Sequence, residues 1–117
     1  MRSEIQPDLP KNEEKLSSVG APKLEDLILI LRRSLPEISG KYSIKSLEVF
    51  GSYVRGEQDK DSDLDVLVEF EKVPGLFKYI ELENYLDDLL GVKVDLVMKR
   101  ALKPRIEKRI LSEAIPV

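Results

Sequence analysis

The chain has 117 residues, 42% hydrophobic and 35% charged, which suits one globular domain with a core of its own. Its net charge of −3 is too mild to argue for direct nucleic-acid binding or for a membrane surface. With no cysteine and no histidine, disulfide frameworks, thiol nucleophiles, thiolate zinc sites and imidazole bases are all excluded, so any catalysis runs on carboxylates, Lys, Arg, Ser, Tyr and an oxygen-bound metal.

Residues 1–21 carry Pro7, Pro10 and scattered opposite charges without periodicity and read as a mobile leader, with the folded domain expected over 22–117. The leader lacks the apolar centre of a signal peptide, and no apolar run reaches membrane-spanning length, so the expected location is the cytoplasm. A helix is expected from Pro22, with Glu25 and Asp26 at its positive end. Leu24, Leu27, Ile28, Leu31 and Leu35 recur at helical spacing. Arg32 and Arg33 suit the negative end, and Pro36 and then Gly40 should stop the helix.

Ile44 to Phe50 alternates as a strand, with Leu47 and Val49 on one face. Gly51-Ser52 follows. A helix beginning there would offer backbone N–H groups and the Ser52 hydroxyl to phosphates, Gly51 would let them approach closely, and Arg55 could pair with a phosphate oxygen. The next loop holds Asp59 and Asp61. A calcium-loop reading of these acids fails, because Leu64 and Phe70 stand where the turn glycine and the bidentate glutamate are needed.

Leu64 to Phe70 is the clearest strand, with Leu64, Val66, Val68 and Phe70 on one face and Asp65, Leu67 and Glu69 on the other. After Pro74-Gly75 a second helix should run to about Leu90, burying Leu76, Phe77, Ile80, Leu86, Leu89 and Leu90 and ending at Gly91. Val92 to Met98 reads as a third strand. A last helix from Pro104 should face Ile106, Ile110 and Leu111 inward. Lys99, Arg100, Lys103, Arg105, Lys108 and Arg109 make this end basic, either as a solvated helix face or as a site for an acidic partner or a triphosphate. The resulting order, α-β-loop-β-α-β-α, implies an α/β (α+β) domain, a small mixed sheet flanked by helices.

Asp63 and Asp65 are two apart, so in extended chain they project to the same side. Like charges that close repel unless a cation or proton lies between them, and Mg²⁺ carrying substrate phosphates resolves the repulsion. Asp95 interrupts an apolar strand where an unpaired carboxylate is costly. If that strand lies beside 64–70, three carboxylates could hold two ions for phosphoryl or nucleotidyl transfer, with Asp95 the nearest candidate general base.

Gly-Ser, a ten-residue spacer from Tyr53 to Ser62, Asp-x-Asp and a distant third Asp resemble the DNA polymerase beta-like nucleotidyltransferase superfamily. Within it, GSYVRGEQDKDSDLDVLVEF and VKVDLVMKRALKPRIEKRILSEAIPV are similar to the minimal nucleotidyltransferases, the MntA-like antitoxins, from about residue 24 onward. The resemblance implies the nucleotidyltransferase fold, metal ligation and catalysis by Asp63, Asp65 and Asp95, and nucleotide binding by Gly51 and Ser52. It also implies a type VII-like antitoxin that transfers AMP from ATP, with Mg²⁺ or Mn²⁺, to a tyrosine of a HEPN-domain ribonuclease toxin. Two rivals stand beside this reading. One is nucleotidyl transfer to a small molecule or an RNA end, against which the lack of an acceptor domain argues. The other is an antitoxin acting by stoichiometric binding with an idle site.

Overall fold

Four strands, β1 (Ile44–Phe50), β2 (Leu64–Phe70), β3 (Val94–Met98) and β4 (Ile115–Pro116), form one mixed sheet in the computed structural model, which describes residues 21–117. The spatial order is β3-β2-β1-β4, with β2 and β3 parallel and the other pairs antiparallel. The helices are α1 (Leu24–Tyr42), α2 (Ser52–Arg55), α3 (Leu76–Leu90) and α4 (Pro104–Glu113), with a 3₁₀ turn at Lys99–Ala101. The expected mixed sheet flanked by helices is therefore present. The leader expected over 1–21 lies outside the described residues except for Ala21. None of the described helices is long and apolar enough to cross a membrane.

The alternation of β2 sorts its side chains between two layers. Leu64, Val66 and Val68 join Leu27, Leu31, Ile38, Val49, Leu82 and Leu86 in the main core beneath α1 and α3. Leu67 points the other way and packs with Phe50 and with Ile110 of α4. One face of the sheet is thus deeply covered and the other only lightly, and the lightly covered face is the one that carries Asp65.

Three expectations about the helices are corrected. First, Pro36 does not stop α1, which continues to Tyr42. Proline inside a helix costs about 3 kcal/mol. Here the two further turns bury Ile38 and Tyr42, each contributing roughly 1.5–3 kcal/mol. The Tyr42 hydroxyl also donates to Glu81 of α3 at 2.6 Å. The helix closes at Ser43 in the left-handed conformation, not at Gly40, so Lys41 occupies the last turn and Arg32 and Arg33 lie mid-helix.

Second, α3 buries Leu82, Leu86 and Leu90, while Phe77 is 86% and Leu76 71% exposed and Ile80 also faces solvent. At 100° per residue, Phe77 and Ile80 lie roughly 140–160° around the helix from Leu82. The helix could present either apolar side, and the sheet took the longer stripe. Third, in α4 only Ile110 is buried, and Ile106 and Leu111 remain exposed, because this face offers just the small cluster of Phe50 and Leu67.

β3 begins at Val94 rather than Val92, and its outer edge is closed by α3. Val94 N–H donates to Asp87, Leu96 N–H donates to Glu83, and the Tyr79 hydroxyl donates to the Leu96 carbonyl. Side chains thus occupy backbone groups that would otherwise template another strand. β4 and the 3₁₀ turn are additions that the sequence pattern does not announce.

Candidate active site

At the end of β1 the chain turns through Gly51, whose backbone (φ 84°, ψ −152°) is open essentially to glycine alone. Space demands glycine as well. A Cβ at this position would lie 2.0 Å from the Asp65 Oδ2. The antiparallel register sets Phe50 opposite Asp65, so the Asp65 carboxylate lies directly over the Gly51 backbone. The sequence reading asked for glycine so that a phosphate could approach; in the structure its missing side chain first admits Asp65.

The parallel register of β2 and β3 pairs Asp65 with Asp95, which places both side chains on one face of neighbouring strands. Asp63 stands just before β2. The start of that strand is tied to the next by Leu64 N–H donating to the Lys93 carbonyl at 2.8 Å. Asp65 is half-buried and Asp95 exposed.

The electrostatics record the crowding. Burial, then Asp95 and Asp63, push the Asp65 carboxyl up to about 6, while Arg55 pulls it down and Glu113 adds a smaller upward push. Among the described residues no three acidic side chains converge into a finished metal cage. The donor set is nevertheless all oxygen and mutually repulsive. Mg²⁺ is held by one or two carboxylates completed by substrate phosphates and water, which these aspartates can supply.

The Gly51-Ser52 turn has a neighbour that the sequence did not suggest. Gly51 N–H donates to Glu113 Oε2 at 2.8 Å, and Arg55 Nη1 donates to both Glu113 oxygens at 3.1 and 3.2 Å. Arg55 Nε donates to Glu57 at 3.0 Å. The Gly51 N–H, and then Arg55, hold the Glu113 carboxyl below its ordinary range despite partial burial. Arg55 is thus brought to the site, but its guanidinium is shared between two carboxylates. Glu113 lies 62 residues from Gly51, and nothing local in the sequence marks it.

Asp59 and Asp61, to which the sequence assigns no role, do form loop structure: Asp61 N–H donates to Asp59 Oδ1, and Asp59 N–H donates to the Ser62 hydroxyl. Tyr53 is buried in the main core, its phenol raised by burial and by Asp59 and Asp63. A polar cleft lined by Tyr53, Lys60, Asp63 and Lys93 opens beside the aspartates. Larger hollows lie elsewhere among the described residues: at the far end of β2 around Phe70 and Met98, between α1 and α3, and beside β3 around Leu76 and Leu96. None of these touches the three aspartates.

Known proteins resemble this chain in sequence and in fold. Residues 30–117 match the nucleotidyltransferase domain family. Protein adenylyltransferase MntA of Thermococcus cleftensis is 50% identical over 94 residues, 80% of this chain and 95% of that protein. A solved candidate minimal nucleotidyltransferase is 41% identical and superposes with a TM-score of 0.70, covering 82% of this chain and 97% of its own. A toxin–antitoxin crystal structure with AMP-PNP is 26% identical with a TM-score of 0.59, over 80% of this chain and 71% of the other.

Proposed function

The chain belongs to the nucleotidyltransferase domain family, and from that premise we propose that it transfers AMP from ATP to a tyrosine of a HEPN-type partner toxin, acting in the cytoplasm as its antitoxin. The observation that carries the reading is the register that sets Asp95 beside Asp65, with Asp63 immediately ahead of them. The adenylyltransferase relative and the AMP-PNP held by a structural neighbour support ATP as the nucleotide.

The partner's phenolic oxygen attacks the α-phosphorus of ATP. A new oxygen–phosphorus bond forms as the bond to the bridging oxygen breaks, and pyrophosphate leaves with that electron pair. Asp95, exposed on the edge strand, is the candidate base for the phenolic proton. Asp63 and Asp65 would hold Mg²⁺, or Mn²⁺, together with Asp95; when bound, it neutralises phosphate charge and eases ionisation of the attacking hydroxyl. The Gly51-Ser52 turn and the Arg55 N–H groups that face away from Glu57 and Glu113 would receive the phosphates. Rate comes from placing the two reactants in line, not from a covalent enzyme intermediate.

The test is intact-protein mass spectrometry of the partner toxin after incubation with this chain, Mg²⁺ and ATP, beside an Asp63→Asn/Asp65→Asn control. Whole AMP increments only with the unaltered chain support the reading, and fragmentation then identifies the acceptor residue. A silenced toxin of unchanged mass would instead assign neutralisation to stoichiometric binding. Turnover on a small molecule or an RNA end without any toxin would move the activity to another acceptor.

A further inference from the structure

We infer that Glu113 is a positioning residue for the nucleotide: from the end of α4 it holds the Gly51 turn and the Arg55 guanidinium in the orientation that receives phosphates. This rests on the nucleotidyltransferase reading and extends it to a residue outside the Gly-Ser and Asp-x-Asp pattern.

One carboxylate joins both halves of the phosphate-binding element. Its Oε2 accepts from Gly51 N–H, a donor left without an intrahelical partner at the start of α2, and the same group accepts from Arg55 Nη1 three residues beyond Ser52. With Glu57 on Nε, the guanidinium is gripped from two sides and its plane is set, while among the described residues its Nη2 donors meet no acceptor and can serve a ligand.

Glu113 is itself firmly held. Three residues before it, Ile110 is buried against Phe50 and Leu67. Two residues after it, Ile115 pairs with Val49 of β1. α4 and β4 together deliver this side chain to the turn that follows β1.

Stability alone is a weak reason for the arrangement. Arg55 is about half exposed in its side chain, and ion pairs this open to solvent add little to stability. Glu113 also adds a negative group beside three aspartates in a site that must receive a polyanion, which is unfavourable at long range. The compensating benefit is local: ordered donors cost less entropy when the phosphates arrive.

The test uses the full chain and two substitutions. Glu113→Asp keeps the charge but is one methylene shorter and cannot span Gly51 and Arg55 together. Glu113→Gln can still accept from Gly51 but turns an N–H₂ group toward one donor. Affinity for AMP-PNP with Mg²⁺ is measured by calorimetry, and the Gly51 amide proton is followed by NMR without nucleotide. We expect the Gly51 amide resonance to move upfield in the Asp variant and AMP-PNP affinity to fall about tenfold, with the urea midpoint nearly unchanged. In about 0.5 M salt, where the charge difference is screened, the Gln variant should also bind several-fold more weakly. Asp-variant affinity within twofold of wild type, or Gln-variant affinity equal to or above wild type in that salt, overturns the assignment while leaving the nucleotidyltransferase reading intact. Wild-type protein that binds no AMP-PNP overturns both.

Discussion

Replacing Asp65 by Asn should abolish transfer and yet stabilise the metal-free protein. Burial and the neighbouring carboxylates raise this group from 3.8 to about 6 in the folded state. Between those values the folded chain keeps a proton that the unfolded chain has released, so stability falls as pH rises through the window. Above it the ionised Asp65 weighs against folding in full; below about pH 4 both states are protonated and the penalty vanishes. The whole displacement corresponds to roughly 3 kcal/mol. Asp65 is only half-buried, so screening by solvent brings the expected figure to about 1–2 kcal/mol.

Asn has the same shape without the charge. Its urea midpoint without metal at pH 7.5 should therefore exceed wild type by roughly 1 M, and the gain should fade toward pH 4. Magnesium should raise the wild-type midpoint and leave the variant almost unmoved. An Asn variant less stable than wild type at pH 7.5, or a gain that persists unchanged in acid, would refute the account of Asp65 as a repelled carboxylate.

Gly51→Ala should cost about 2–4 kcal/mol in urea unfolding, combining a forbidden backbone conformation with a Cβ driven into Asp65. Adding Asp65→Ala should recover part of that loss, a non-additivity measurable in a double-mutant cycle. Asp95→Asn should retain most AMP-PNP binding, since Asp63 and Asp65 keep their carboxylates, while transfer falls by about 10²-fold or more, the span typical of a lost general base; a parallel loss of binding would show that Asp95 acts through ligation alone and not as the base. Leu86→Ala should cost about 2–5 kcal/mol and Phe77→Ala less than about 0.5 kcal/mol, because Leu86 is fully buried and Phe77 stands in solvent.

The division between what could be read and what could not follows the reach of each interaction. β2 was legible to the residue, since a two-residue period assigns Leu64, Val66 and Val68 to one layer and Leu67 to the other without knowledge of any partner. The spacing of Gly51-Ser52 and Asp63-x-Asp65 was equally local, a strand end and a strand start joined by one loop. Asp95 stood out because a carboxylate in an apolar run needs a reason, though only the parallel register with β2 brought it opposite Asp65.

Helix limits and faces were less readable. α1 passes Pro36 because Ile38 and Tyr42 find a core, and α3 had two apolar sides between which only the sheet could choose. The sequence by itself therefore determined the chemistry available, carboxylates and a glycine turn at set spacing, because those relations lie within a single stretch of chain. Tertiary structure alone decided that Gly51 must make room for Asp65 and that Glu113 should reach back across 62 residues to hold Gly51 and Arg55. Such contacts depend on how separate elements pack, and no local pattern of residues encodes that distance.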